Sequence, residues 1–185
     1  MNEGMIEEAV RLLLQGLGED LHRPGVQDTP RLVAEASQVM LSGYMRDPRQ
    51  VIEVIEGPDE MVLLRDLPFF SVCEHHLLPF FGSADVAFLP DGGRIAGFGS
   101  LADLVDVAAR RLQIQERLTK EIADALEAVL RPRGVYVSLR ARQLCMQMIE
   151  GRNLGSETVT SAVRGVFLEE SGRGQLQALL AGRVR

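Results

Sequence analysis

Apolar residues recur at helical spacing over residues 5–17 (Ile6, Val10, Leu13, Leu14 and Leu17), and Gly18 follows as a stop signal. Asp28-Thr29-Pro30 reads as a cap followed by a first-turn proline, whose missing amide hydrogen costs nothing there, and opens a helix to about Leu41. After Gly43-Tyr44 the period changes. Residues 61–67 and 83–89 read as strands, the second alternating Ala84, Val86 and Phe88 with Asp85 and Ala87. The segment Cys73 to His76 lies in the loop between them. Asp91-Gly92-Gly93 marks a turn, after which residues 101–112 and 116–130 carry two helices, the second ending at Arg131-Pro132-Arg133-Gly134. Val135 to Leu139 and Thr158 to Phe167 (Val159, Val163, Val166) are strand-like, with Cys145 on or just after the first, and the last dozen residues form a short helix that frays at its Arg-rich end. Strands paired in sequence around two central helices predict an α+β fold, an antiparallel sheet packed on those helices. An N-terminal helical segment (1–45) precedes the sheet-bearing domain (46–185), the two forming one globular unit.

A chain of 185 residues can bury a substantial core without disulfides. Its 25% charged and 46% hydrophobic content is ordinary for a globular protein. No apolar run approaches the ~20 residues of a membrane helix. Residues 1–10 carry Glu3, Glu7 and Glu8 and no basic side chain, unlike a signal or transit peptide. A net charge of −6 with scattered basic residues argues against nucleic acid, and a polyanionic ligand would need local cations. Two cysteines, far apart and accompanied by histidine, suit a reducing compartment where thiols remain available to metal. A cytoplasmic location with neither membrane nor nucleic acid as partner is therefore expected.

Those cysteines, Cys73 and Cys145, are the only two, and the first stands in Cys73-Glu74-His75-His76. Zinc takes thiolate and imidazole ligands tetrahedrally, and a catalytic site keeps three protein ligands plus one open position. Cys73, His76 and Cys145 would supply Cys2His with such an opening. Two ordinary buried cysteines beside incidental histidines are the plain alternative, since free cysteine is among the most buried residue types.

Ser71-Val72-Cys73-Glu74-His75-His76-Leu77-Leu78-Pro79, Arg111-Leu112-Gln113-Ile114-Gln115-Glu116-Arg117-Leu118-Thr119 and Thr158-Val159-Thr160-Ser161 occur in this order, and together they resemble the GTP cyclohydrolase I family from about Thr29 to Phe167. The resemblance implies the tunnelling fold (T-fold), usually a ring-stacked homodecamer with active sites between subunits, and so a homo-oligomer acting on a small-molecule purine. It implies Zn2+ on Cys73, His76 and Cys145, His75 as the histidine handling protons at the purine imidazole, and Glu116, with Gln115 beside it, as the anchor for guanine. The chemistry is coherent. Purine C8 is a poor electrophile, zinc provides a strong nucleophile by acidifying water to a pKa of about 7, and an imidazole titrates in the range needed to protonate N7. For Glu116 the plain alternative is an acid favoured by a helix N-terminus.

Five positions depart from the family pattern. The phosphate-binding arginine of TPxR is Leu32, the lysine and arginine of the GLSK segment are Ser100 and Asp103, and the arginine of CMxxRG is Ile149. Losing four charge-assisted hydrogen bonds of roughly 1.5–3 kcal/mol each would nominally remove about 6–12 kcal/mol, although such terms do not add cleanly. Arg31, Arg140, Arg142 and Arg152 are the cations that could compensate. The fifth departure is Gln143 in place of a histidine two residues before Cys145; an amide orients but does not exchange protons near pH 7. The expectation is a zinc-dependent hydrolase that opens the imidazole ring of a guanine-like purine at C8, on a substrate lacking the triphosphate, with His75 shuttling the proton and Gln143 orienting. The alternatives are an authentic GTP cyclohydrolase I forming 7,8-dihydroneopterin triphosphate, and a catalytically inactive zinc-containing purine-binding protein.

Overall fold

The architecture is that of a computed structural model, which describes residues 1–149 and 155–182. The chain forms two compact units, Met1–Ser42 and Gly43–Arg185. The first holds helices α1 (Glu3–Gly16) and α2 (Thr29–Met40), which pack on each other. Gly18 ends α1 as its composition suggested: at φ 80° it donates to the Gln15 carbonyl while Glu19 donates to that of Leu14, the paired closure that satisfies a helix's last carbonyls. Pro30 sits in the first turn of α2, but Asp28 does not cap through its side chain. With ψ −7° it already has helical rather than extended geometry, and its carboxylate is not aimed at the free amides.

In the second unit the strands are β1 (Val54–Glu56), β2 (Val62–Cys73), β3 (Pro79–Leu89), β4 (Arg94–Ala96), β5 (Leu112–Gln113), β6 (Gly134–Gln143) and β7 (Thr158–Gly165). The helices are α3 (Phe98–Ala109), α4 (Gln115–Leu130), α5 (Leu144–Ile149) and α6 (Glu170–Ala181). The main sheet has the order β5-β2-β3-β6-β7, antiparallel except where the two residues of β5 run parallel to β2. β1 and β4 pair separately.

Helices α3 and α4 cover one face of the sheet. Phe69, Phe80, Val86, Phe88, Val137 and Leu139 meet Leu101, Leu104, Leu118, Ile122 and Leu126 there, each large side chain contributing roughly 1.5–3 kcal/mol of burial. The other face is not left to water. Ala87, Tyr136 and Val163 pack under Phe167 and Leu176 of the C-terminal segment, so β3 is buried on both sides and its alternation understates its burial. Asp85 is only 9% exposed on that second face. It accepts from the Asp66 amide (3.0 Å) at a bulge in β2 and from Arg140 (3.4 Å), which also binds the Asp66 carboxylate at 2.6 Å. Gly82 is required by close approach: a Cβ there would lie 1.8 Å from the Arg140 carbonyl oxygen of β6.

The long strands explain where the chemistry gathers. β2 extends to Cys73 and β6 to Gln143, so both deliver residues to the same end of the sheet, where α4 begins.

Candidate active site

The turn after β2 is fixed by its backbone. The Cys73 amide donates to Leu78 O (2.8 Å), the Leu77 amide returns to Cys73 O (2.9 Å), and Leu77 takes a left-handed φ of 55°. Glu74 then ties the turn to its neighbours: its amide donates to Gln113 O (3.1 Å) and its carboxylate accepts from Arg117 (2.5 Å). Arg117 also donates to Gln113 Oε1 (2.8 Å) and Leu112 O (2.9 Å). The hydrogen bond from this guanidinium holds the Glu74 carboxyl below its ordinary range. His75 and His76 thus ride on a loop clamped from β5 and α4.

Three donors converge there. Cys73, from the end of β2, His76, from the turn, and Cys145, from the first turn of α5, have ligand atoms within 4.8 Å of one another. Cys73 Sγ and His76 Nδ1 are 3.8 Å apart, close to the ~3.5–3.8 Å edge of a tetrahedron with zinc bonds of about 2.0–2.3 Å. Two thiols and an imidazole are the donor chemistry zinc prefers, so these residues fit that ion. Burial, followed by the neighbouring Cys73 sulfur, pushes the Cys145 thiol up; a cation between the sulfurs reverses that preference. His75 is exposed, as His76 is, with Nδ1 4.0 Å from Cys73 Sγ and its ring edge-on to His76, and it stands outside the three-donor group.

Beside these donors lies a cavity of about 240 Å³ whose lining includes Cys73, His75, Glu116, Gln143, Cys145 and Thr158. Of the metal, catalytic and purine-binding candidates from the sequence, all but His76 line it, and His76 stands in the donor cluster whose two cysteines do. Glu116 stands exposed in the first turn of α4 with no ion-pair partner among the described residues, so its carboxylate is available to a ligand. Gln115 is the opposite case. It is 4% exposed and its amide is fully spent on protein. Nε2 donates to Leu139 O and Thr158 O (both 3.1 Å), while Oε1 accepts from Gln143 Nε2 (2.8 Å) and the Thr158 hydroxyl (2.6 Å). Thr158, Thr160 and Thr119 complete this polar wall, with the Thr119 and Thr160 hydroxyls 2.6 Å apart. The threonines were visible only as part of a motif; nothing in their spacing distinguished a lining residue from a strand residue.

The sequence profile of the GTP cyclohydrolase I family matches residues 6–180, nearly the whole described chain. The chain belongs to the GTP cyclohydrolase I family. Curated relatives agree: GTP cyclohydrolase 1 of Bacillus cytotoxicus is 48% identical over 169 residues (90% of this chain, 89% of the relative). Those of Streptococcus thermophilus (46% over 171 residues, 91% of each chain) and Halalkalibacterium halodurans (44% over 180 residues, 96% of each) are similar throughout. Among solved structures, an archaeosine synthase QueF-Like in the apo form aligns with a TM-score of 0.47 at 20% identity, covering 60% of this chain and 97% of that one. Dihydroneopterin aldolase of E. coli in complex with neopterin aligns at 0.45 and 16%, covering 57% and 99%. The GTP cyclohydrolase I member described here is α+β, a largely antiparallel sheet packed on two helices, as expected. None of its described helices is long and apolar enough to cross a membrane.

The four positions at which the resemblance implied cations are occupied as follows. Leu32 is 51% and Ile149 60% exposed, Asp103 is exposed on α3, and Ser100 is buried with its hydroxyl donating to Gly97 O (2.8 Å). Of the compensating arginines, Arg31 pairs with Glu35 (2.7 Å) and Arg140 is held by Asp66 and Asp85. Arg142 is exposed on β6 and has no partner among the described residues. Arg152 lies outside the described residues.

Proposed function

We propose that this chain is a zinc-dependent cyclohydrolase that opens the imidazole ring of a guanine nucleotide at C8, with GTP as substrate and 7,8-dihydroneopterin triphosphate as product. The observation that carries the reading is the Cys73, His76 and Cys145 cluster in the wall of a cavity that also presents His75 and the unpaired Glu116. The kinship with GTP cyclohydrolase 1 proteins at 44–48% identity supports GTP over a tailless purine. Zinc, when bound, supplies a nucleophile at neutral pH by acidifying water.

The protein's own groups do the rest. Glu116 accepts the N1–H and 2-amino hydrogens of guanine, a donor pair adenine lacks. His75, on its clamped loop, gives a proton to N7 and so makes C8 more electrophilic; an imidazole suits this because it changes charge near neutral pH. Gln143 orients, and Gln115 holds Gln143. A volume of about 240 Å³ falls below the ~300–1,000 Å³ of ordinary ligand pockets. That supports a second wall contributed by a neighbouring subunit, in a cytoplasmic homodecamer.

A second reading is favoured by Leu32, Ser100, Asp103 and Ile149. With no cation at these four positions, Arg31 and Arg140 already paired, and Arg142 left as the single compensating arginine without a partner among the described residues, the ligand would carry fewer phosphates: a base, nucleoside or monophosphate. Comparing kcat/KM of zinc-loaded protein for GTP, GMP, guanosine and guanine by loss of the purine ultraviolet band decides between them. GTP turnover exceeding the others upholds the first reading. A preference for GMP or guanosine upholds the second, and unchanged purine in all four leaves only a binding protein.

A further inference from the structure

We infer that Gln143 is a fixed hydrogen-bond acceptor that recognises an N–H generated on the imidazole side of the ligand, and that Gln115 and Thr158 are the positioning residues that lock it in that sense. The inference rests on the ring-opening reading above and adds to it the chemical sense of one contact. Amide orientation follows from the network. One end of Gln115 meets only the carbonyl oxygens of Leu139 and Thr158, so that end must be the NH2. Its other end is therefore the acceptor, and it faces Gln143 at 2.8 Å and the Thr158 hydroxyl at 2.6 Å. A carbonyl oxygen can only be met by a donor, so Gln143 turns its own NH2 toward Gln115, with a longer contact to Thr158 Oγ1 at 3.5 Å. Gln143 Oε1 takes no hydrogen bond from the described residues, and Gln143 lines the cavity beside Cys73 and Cys145.

The consequence is chemical. Purine N7 carries a lone pair, which an amide oxygen repels. When water adds across the N7–C8 bond, its oxygen bonds to C8 and a hydrogen appears on N7. When the C8–N9 bond then breaks, the hydroxyl proton passes to N9, C8 becomes the formamide carbonyl and N7 keeps its hydrogen. No oxidant or other reactant is needed. An acceptor held toward that edge therefore binds the hydrated and opened forms better than the purine, the sense required of a group that assists the reaction. A histidine could serve as donor or acceptor as its protonation changes; this amide, with one N–H on Gln115 and the other nearest Thr158 Oγ1 at 3.5 Å, has its oxygen as the atom with no protein partner among the described residues.

The test uses guanosine and 8-oxoguanosine, which differ in having a lone pair or a hydrogen at N7, and the corresponding triphosphates. Dissociation constants are measured calorimetrically for the zinc-loaded wild type, Gln143→Leu and Thr158→Val. Wild type is expected to favour the 8-oxo form. Gln143→Leu should lower that preference by about fivefold, the worth of one neutral hydrogen bond, and Thr158→Val should lower it partly, the loss of affinity falling on the 8-oxo form rather than on the plain guanine form. Should Gln143→Leu not fold, Thr158→Val alone decides, because a merely structural role would change both affinities together. Binding of both ligands with a preference unmoved by either substitution overturns the inference alone. Binding of neither ligand overturns the ring-opening reading and the inference with it.

Discussion

Replacing Gln115 with leucine removes the centre of the polar wall while keeping volume nearly constant. Two of its four hydrogen bonds go to carbonyls, that of Leu139 buried and that of Thr158 partly so, and two come from Gln143 and Thr158. A neutral hydrogen bond is worth about 0.5–1.5 kcal/mol net, and more when a buried partner is orphaned. The four do not count equally. Thr158 can turn its hydroxyl to Ala141 O, already 3.1 Å away, and Gln143 is open enough to find water, whereas the Leu139 carbonyl faces the site of the new apolar side chain. The expected destabilisation is about 3 kcal/mol, read in urea as a fall in midpoint with an unchanged slope. A melting point lower by roughly 6–12 °C would accompany it for a chain of this size. Zinc content should remain, because no ligand is touched. A loss below about 1 kcal/mol would show that the network is not carrying the wall and that Gln143 is held by something else.

Cys145→Ser should lower bound zinc from about one per chain to under about 0.1 after dialysis against a weak chelator, measured by metal analysis, because the remaining pair cannot close the site. Glu116→Gln should weaken guanine-ligand binding about 10- to 100-fold by calorimetry, the worth of a charge-assisted hydrogen bond, with zinc unchanged. Gly82→Ala should destabilise by at least about 2 kcal/mol in urea, since its Cβ would collide with the β6 backbone rather than with a movable side chain. Hydrogen bonds from the Arg49 guanidinium, then from the Arg49 amide, lower the Asp47 pKa to about 2. Because the folded value is depressed, the stabilisation is fully present above the unfolded value near 4 and is lost as pH falls through about 2. The stability difference between wild type and Asp47→Asn, followed by urea unfolding, should therefore be flat above about pH 4 and shrink below it.

Much of this molecule is legible in its side-chain pattern, and the failures have local physical causes. Helices α1, α2 and α4 announce themselves by period, proline and glycine, but β2 runs six residues past its expected end. Its distal half is Pro68-Phe69-Phe70-Ser71-Val72-Cys73, and the proline reads as a break; the strand continues through it because Pro68 pairs with Ser83 of β3 on one side only, β5 reaching no further than Val72 and Cys73 on the other. The β1 and β4 pair and the two-residue β5 are too short to carry a period at all. In the site, the gathering of Cys73, His76 and Cys145 could be anticipated because thiol and imidazole are scarce and their chemistry narrow. The roles of Gln115 and Thr158 were not, since glutamine and threonine serve equally on a surface, and only the fold shows that one amide has all its hydrogen bonds inside the protein. The relocation of phosphate contacts to Arg31 or Arg140 could not be judged from the sequence either; their partners are Glu35, one helical turn on, Asp66 at the bulge in β2 and Asp85 of β3.

Crystals of zinc-loaded protein grown with a guanine nucleotide, measured at the zinc absorption edge, would examine metal and purine together. One anomalous peak per chain bonded to Cys73, His76 and Cys145, with the guanine edge on Glu116 and C8 turned toward the metal, is the expected result. A peak bonded elsewhere, or a purine seated away from the cavity lined by Glu116 and Gln143, would contradict it.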